Sequence, residues 1–152
     1  MTTHTDSPER TARLLDLMKR GDDAFNSRDW AAMDAVHHPD MSAHITGNPQ
    51  TLHGRDAHAA AMQDFFRIFP DVHVQNDPYP VRFGSGDWTT VITRVTGTFT
   101  GEMVLPDGTV IPPTGKAFDV AFGTTARWEG DLLVEEAVFW DSAEQARQIG
   151  LA

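Results

Sequence analysis

The sequence contains no cysteine and few basic residues, and these two shortages exclude several classes of function. Without cysteine the chain can form no disulfide bond, thiolate nucleophile or cysteine-ligated metal site. Its 12 Lys and Arg residues stand against 22 Asp and Glu residues, which gives a formal net charge of −10. A surface of that sign repels phosphate backbones and anionic lipids. Nucleic acid and membranes are therefore not expected as partners.

The sequence also lacks long hydrophobic runs. No stretch approaches the ~20 apolar residues that cross a bilayer, and residues 1–11 lack the apolar core of a secretion signal. We therefore predict a cytoplasmic protein. A chain of 152 residues is long enough for one domain with a single hydrophobic core, so we predict one domain spanning residues 1–152.

The first half of the chain has the periodicity of helices. Ser7 and Pro8 are typical of a helix start, and apolar residues then recur three and four positions apart. Asp29 and Asp141 are suited to capping two further short helices. A further helix, located in the sequence between the two that Asp29 and Asp141 cap, is expected to end before Pro70, because proline cannot continue a helix.

The second half alternates with the period of two that is typical of strands. Residues 118–128 and 132–140 form two alternating segments, and the polar Glu129-Gly130-Asp131 turn between them predicts a β-hairpin. The Leu105 to Pro113 segment is interpreted as a loop or exposed hairpin without lid function. Helices followed by antiparallel strands predict an α+β domain. A twisted sheet wrapped around three helices leaves a hollow for a ligand.

Two adjacent carboxylates in the last predicted strand are the strongest catalytic candidates. Neighbouring side chains on a strand point to opposite faces, so we expect either Glu135 or Glu136 to face the layer that covers the sheet. The alternation groups Glu136 with Val134, Val138 and Trp140. A carboxyl in an apolar pocket has a raised pKa and can carry a proton near neutral pH. The alternative is that both carboxylates are held by Arg94 or Arg127, or lie at a dimer interface.

A set of short motifs follows the chain in a recognisable order. They are Phe25-Asn26-Ser27-Arg28-Asp29-Trp30 with Pro39-Asp40 and His44, then Phe69-Pro70-Asp71, Gly97-Thr98-Phe99-Thr100-Gly101, Pro112-Pro113-Thr114-Gly115-Lys116, and Asp141 with Gly150-Leu151. Together they resemble the SnoaL-like polyketide cyclases over nearly the whole chain. The resemblance implies the NTF2-like fold, in which three N-terminal helices cover a strongly curved, mostly antiparallel sheet in the shape of a cone. It also implies an internal pocket and, in many members, a homodimer.

The resemblance also implies which residues carry the chemistry. In the cyclases an acidic residue on the last strand acts as general acid and base, and no metal or organic cofactor is needed. Relatives often carry Glu-His-Trp and an acid where this chain reads Glu135-Glu136-Ala137-Val138. Glu136 stands at the His position and is favoured as the catalytic residue, with Glu135 as the second candidate. His44 matches a histidine of the first short strand and is expected to act as electrophile or proton relay, or else to be a core histidine bonded to backbone.

Other aromatic and histidine residues have weaker signals. Four aromatic residues are candidates for lining a hydrophobic pocket, although aromatic residues at helix or strand spacing also pack in ordinary cores. They are Trp30, Phe66, Phe122 and Trp140. The remaining candidate histidines are expected in loops or on the surface, namely His37, His38, His53, His58 and His73. No two of them have the i, i+4 spacing of a helical zinc site with a supporting acid, so no metal is expected.

These observations lead to two functional hypotheses. The first is a cofactor-independent enzyme of the cyclase or isomerase type that abstracts a proton next to a carbonyl of a small, mostly apolar molecule, with Glu136 as base and His44 as electrophile. The second is a non-catalytic NTF2-like domain that binds a hydrophobic metabolite or serves as a dimeric scaffold. This second hypothesis is motivated by the departures from the family pattern at Glu136, Ala137 and Val138.

A homodimer is predicted under both hypotheses. One long predicted strand has a polar but β-favouring outer row, which suits packing against a second sheet. The row consists of Thr90, Arg94, Thr96, Thr98 and Thr100. Two such sheets meeting back to back would form an interface between identical surfaces.

Overall fold

The computed structural model follows the predicted order of helices and strands, and it describes residues 7–152. The first six residues of the polar N-terminal segment lie outside the described residues. The helices are α1 (Pro8–Ser27), α2 (Trp30–Val36), α3 (Arg55–Ile68) and α4 (Ser142–Gln148). The strands are β1 (His37–Ile45), β2 (Leu52–His53), β3 (His73–Val74), β4 (Val81–Ser85), β5 (Trp88–Thr98), β6 (Met103–Val104), β7 (Val110–Ile111), β8 (Ala117–Glu129) and β9 (Leu132–Trp140).

Three of the helices begin at side-chain caps that the sequence predicts. The side-chain oxygens of Ser7, Asp29 and Asp141 each accept a hydrogen bond from the backbone N–H three residues later. Such bonds satisfy N–H groups that have no partner inside the helix. Within residues 7–152, no helix has both the length and the apolar character needed to span a bilayer.

The main sheet has seven strands and a mixed topology. Its order is β2-β1-β9-β8-β5-β3, with β4 also paired to β5, and all pairs except the parallel β1–β9 pair are antiparallel. The predicted hairpin at Glu129-Gly130-Asp131 is confirmed by the pairing of β8 with β9. The segment around Leu105 forms a separate small hairpin of β6 and β7. The α+β fold with a curved sheet is thus confirmed.

The first strand is longer than the sequence indicates. The sequence predicts that Pro39-Asp40 ends the second helix and that a short extended segment runs from Met41 to Ile45. In the structure β1 begins at His37, because it pairs in parallel with β9, where His37 lies opposite Leu133. This long-range pairing brings a histidine that was expected on the surface into the interior.

The core lies between the helices and one face of the sheet. On β5 every second residue is buried, and the buried row includes Val91 and Val95, while Ile92 and Arg94 between them are exposed. Gly101, in the segment after β5, lies against the last turn of α3. A Cβ on Gly101 would be 1.9 Å from the carbonyl oxygen of Arg67 in that turn. Only glycine fits there, and its backbone N–H donates to the carbonyl oxygen of Ile68 at 3.0 Å, which links the end of α3 to the chain after β5.

Candidate functional site

A cavity of about 180 Å³ lies between the first three helices and the inner face of the sheet. Most of the side chains that line it are apolar, and they include Met18, Phe25, Met62, Phe65, Phe122 and Trp140. The titratable side chains that border it are Asp22, His37, His58 and Glu136. An apolar cavity with a few convergent polar groups is typical of a small-molecule site.

Glu136 faces this cavity together with Val138 and Trp140, which follow it at intervals of two residues on β9, and a bulge brings Leu133 to the same face. The register of β8 against β9 shifts between Arg127 and Trp128, where β9 contains one extra residue, Val134. As a result Leu133 and Glu136 both border the cavity. The sequence alternation groups Glu136 with Val134, Val138 and Trp140. Val138 and Trp140 do border the cavity with it, whereas Val134 does not, because strict alternation does not continue through a bulge.

Glu136 forms a buried pair with His58 of α3. His58 Nε2 lies 2.7 Å from Glu136 Oε1, and the two residues are 8% and 6% exposed. Burial by itself would raise the pKa of Glu136, but the charge of His58 and its hydrogen bond outweigh burial and hold that pKa below its ordinary value. The rise in the pKa of Glu136 that the sequence analysis predicts therefore does not occur. That prediction considers burial alone, since the sequence does not show that His58 lies beside Glu136. Burial lowers the pKa of His58, and Glu136 more than reverses this effect.

His37 lies beside this pair in the neutral state. Its ring centroid is 4.7 Å from that of His58, and its Nδ1 lies 2.7 Å from the carbonyl oxygen of Met33. Because a carbonyl only accepts, Nδ1 carries the proton and Nε2 keeps its lone pair. Burial lowers the pKa of His37. The expectation that His37 and His58 lie in loops or on the surface is wrong.

The same three side chains could hold a metal ion. His37, His58 and Glu136 each offer one ligand atom, and these atoms lie within 4.8 Å of one another. Two imidazoles and one carboxylate form a donor set that binds Zn²⁺. A search for paired histidines on one helix misses this cluster, because its members come from β1, α3 and β9.

A second carboxyl, Asp22, borders the cavity from α1. Its Oδ2 accepts a hydrogen bond of 2.5 Å from the hydroxyl of Tyr79, which is buried in the segment before β4. Burial raises the pKa of Asp22 from 3.8 to about 7; the bond from Tyr79 opposes the rise and the negative charge of Glu136 adds to it. With this pKa, Asp22 is mostly protonated below pH 7 and titrates through neutral pH, whereas Glu136 is ionised.

The structure places the other two catalytic candidates outside the cavity. Glu135 points to the opposite face, where Arg127 Nε donates to it at 3.2 Å, as one of the alternatives anticipated. His44 is exposed, and its Nδ1 lies 3.2 Å from the hydroxyl of Thr51. On β1 the inward position belongs to Ala43, so the alternation directs His44 outward. Neither residue is brought together with Glu136 in the cavity.

Two of the four predicted aromatic residues border the cavity. Phe122 and Trp140 lie opposite each other on β8 and β9, and their rings stack with centroids 4.5 Å apart. Trp30 and Phe66 do not line it. They pack against each other at 5.7 Å, and Phe66 contacts Phe25, which does line the cavity. The β6–β7 hairpin contributes no lining residue.

Two residues of the site that sequence reasoning missed do have a signal in the sequence. Asp22 follows Met18 by four positions and precedes Phe25 by three, so it falls on the apolar stripe of α1. His58 precedes Met62 by four positions and falls on the corresponding stripe of α3. A polar residue in an apolar helical stripe indicates a buried polar group.

A model of the SnoaL-like polyketide cyclase family matches residues 15–149. No curated protein shows significant similarity to the sequence. A SnoaL-like protein from Jannaschia sp. CCS1 is similar in structure, with 20% identity, a TM-score of 0.82 and coverage of 97% of this chain and 99% of that one. IdmH from Streptomyces antibioticus, provisionally assigned as a polyketide cyclase, has 22% identity, a TM-score of 0.74 and coverage of 89% and 96%.

A third similar structure extends the likeness beyond the cyclases. It is a protein from Catenulispora acidiphila with a ketosteroid isomerase-like fold, in complex with trimethylamine, with 17% identity, a TM-score of 0.73 and coverage of 90% of this chain and 94% of that one. At these identities the structural similarities establish the fold. The activity has to be argued from the site itself.

Proposed function

We propose that this chain, which belongs to the SnoaL-like polyketide cyclase family, is a cofactor-independent enzyme of the cyclase or isomerase type. Its substrate is a small, mostly apolar carbonyl compound that occupies the cavity. The observation that supports the proposal is the carboxyl group of Glu136, which lies 2.7 Å from His58 Nε2 at the wall of a mostly apolar cavity. Family membership and fold alone would not assign this chemistry.

Glu136 acts as the general base. Its carboxylate accepts a proton from the carbon next to the substrate carbonyl, the C–H bond breaks, and the electron pair moves to the carbonyl oxygen to give an enolate. In an isomerisation the proton returns to another carbon of the enolate system. In a cyclisation the enolate carbon attacks a second carbonyl of the same molecule and forms a carbon–carbon bond, and the proton passes to the new alkoxide.

His58 is a positioning residue in this scheme. Its hydrogen bond fixes one oxygen of Glu136, and its charge keeps the carboxylate ionised in spite of burial. A general base must be ionised before it can accept a proton, so the lowered pKa of Glu136 is compatible with the role. The apolar wall excludes water and strengthens the electrostatic interactions inside the cavity.

The test is a panel of ring ketones and polyketide esters assayed with the wild type, Glu136→Gln and Glu135→Gln. Loss of general-base catalysis typically costs about 10²- to 10⁴-fold in rate, so we expect Glu136→Gln to lose activity on this scale. Glu135→Gln is the matched control, since Glu135 bonds Arg127 on the opposite face. Equal turnover by the wild type and Glu136→Gln would remove Glu136 from the mechanism.

A chelator experiment separates acid–base chemistry from a metal-dependent use of the same residues. A metal ion would need the lone pairs of His58 and Glu136 that hold the proton in the proposed site. We expect activity to survive dialysis against EDTA. Activity that disappears and returns with added Zn²⁺ would contradict the proposal.

A non-catalytic binding domain is the second candidate, and the same ion pair supports it. His58 and Glu136 satisfy each other, so the pair can also serve as a structural link between α3 and the sheet. Under this reading, panel compounds bind saturably without being converted, even at high protein concentration. Any turnover that depends on Glu136 excludes it.

A further inference from the structure

The proposed reaction leaves two titratable groups of the cavity wall, His37 and Asp22, without a task. Asp22 lies on the inward stripe of α1 and borders the same cavity as Glu136. Its Oδ2 is held by the buried hydroxyl of Tyr79 at 2.5 Å. A carboxyl at the wall of an apolar cavity whose hydrogen-bond partner is a neutral hydroxyl is an unusual feature, because an ionised carboxylate is costly to bury without an opposite charge.

We propose that Asp22, oriented by Tyr79, is a protonated carboxyl that donates a hydrogen bond to the substrate oxygen on which negative charge develops. This inference rests on the proposed function, in which Glu136 removes the proton. It assigns to the cavity two carboxyls with opposite tasks, one acid and one base. It also restricts the substrate class to compounds with a carbonyl oxygen that becomes an enolate.

The geometry supports a donor at this position. Tyr79 donates to Oδ2 and orients the carboxyl, which leaves Oδ1 as the oxygen that can carry the proton. The surrounding loop is itself tied to the helix, because the buried side chain of Asn76 donates to Asp23 Oδ1 at 2.7 Å. A hydrogen-bond donor held in place before the reaction stabilises developing charge without reorganisation.

The surroundings of Glu136 and Asp22 favour opposite protonation states. His58 holds Glu136 ionised, while burial and the negative charge of Glu136 keep the proton on Asp22. Asp23 and Lys19, on the same helix, also act on Asp22, with opposite effects on its pKa. Two carboxyls whose environments separate their pKa values are suited to acid and base roles in one site.

The proton from the substrate carbon goes to Glu136, and the electron pair of the broken C–H bond moves to the carbonyl oxygen. Asp22 shares or transfers its Oδ1 proton to that oxygen, which leaves an enol and an Asp22 carboxylate. When the proton returns to carbon, the enol proton returns to Asp22, so no co-reactant is needed.

The experiment measures binding of phenyl tert-butyl ketone to the full chain by calorimetry between pH 6 and pH 8. This ketone has no hydrogen next to its carbonyl, so it cannot be enolised, and its oxygen only accepts hydrogen bonds. With the pKa of Asp22 at about 7, the protonated fraction and hence the affinity of the wild type should fall roughly 10-fold over this range. Asp22→Asn keeps an N–H donor but cannot titrate, so its affinity should not vary with pH.

Asp16→Asn is the matched control, since Asp16 is an exposed residue of the same helix that pairs with Arg20. It should follow the wild type at every pH. The proposal is overturned if the wild type does not bind the ketone at pH 6, if its affinity is constant or rises with pH, or if Asp22→Asn retains the pH dependence. The last outcome would assign the dependence to the His58–Glu136 pair.

The binding experiment and the turnover experiment fail independently. Because the ketone does not react, a pH-dependent affinity that requires Asp22 stands even when Glu136→Gln leaves turnover unchanged. In that case the base is wrongly assigned and the acid site remains. Conversely, turnover that requires Glu136 with no effect of Asp22 on binding supports the proposed function and removes Asp22 from it.

Discussion

Glu136 on β9 and His58 on α3 form an ion pair of 2.7 Å in which neither side chain is more than 10% exposed. The pair links the helical layer to the sheet at the wall of the cavity. Burying two charges costs free energy that their attraction offsets only when the geometry is good. Each partner therefore depends on the other for its charged state, and this dependence can be tested on stability without knowledge of the substrate.

Removal of His58 should destabilise the protein strongly. His58→Ala leaves the Glu136 carboxylate buried without its partner, and breaking a buried pair in this way typically costs about 3–5 kcal/mol. His44→Ala is the control, since His44 is exposed and should change the free energy of unfolding by less than about 0.5 kcal/mol. Urea unfolding at pH 7 measures both. Equal midpoints for the two variants would show that the pair contributes no stability.

Asp22 should make stability decrease as the pH rises. Its folded-state pKa of about 7 is above its ordinary value of 3.8, so the folded state holds a proton that the unfolded chain releases. This contribution is fully present below pH 3.8 and is lost as the pH rises through 7. In thermal unfolding, Asp22→Asn should therefore gain stability relative to the wild type between pH 5 and pH 8, whereas Asp16→Asn should not. A constant difference between Asp22→Asn and the wild type would contradict the raised pKa.

The cavity wall should be more sensitive at Phe122 than at Trp30. Phe122 lines the cavity and stacks on Trp140, whereas Trp30 packs on Phe66 outside the lining. Phe122→Ala removes apolar area that a ligand buries, which should weaken binding of phenyl tert-butyl ketone by about 10-fold or more. Trp30→Ala should change the affinity less than about 3-fold. The reverse ranking in calorimetry would place the ligand nearer to Trp30.

The outer face of the sheet carries an apolar row that supports the proposal of a homodimer. Val81, Ile92, Gly123 and Phe139 lie side by side across β4, β5, β8 and β9. Val81 and Ile92 are both 41% exposed and Phe139 is 60% exposed, so a contiguous row of this kind favours an interface between identical sheets. The polar outer row of β5 continues beside it.

Sedimentation at micromolar concentration tests the dimer. We expect the wild type to have the mass of a dimer and Ile92→Asp to have the mass of a monomer, because a charge in the middle of the apolar row would be buried without a partner. Val104→Asp is the control, since Val104 is 53% exposed on the separate β6–β7 hairpin. A monomer mass for the wild type would refute the proposal.

The sequence by itself determined the elements that depend on neighbours along the chain. Ser7, Asp29 and Asp141 cap helices through bonds to residues three positions away, and Glu129-Gly130-Asp131 joins two adjacent strands. Local bonds and periodicity decide such features, so the order of elements and the fold class could be predicted. The choice of Glu136 came from the resemblance, since periodicity left the face open.

Only the tertiary structure decided which groups meet in the cavity. The Val134 bulge brings Leu133 to the same face as Glu136, and α3 presents His58 to Glu136, although the two are far apart in the sequence. Asp22 and Tyr79 are 57 positions apart and meet only because α1 lies across the sheet. The protonation state of a buried group depends on what surrounds it in three dimensions, and sequence spacing does not contain that information. The charged states of the site therefore follow from packing.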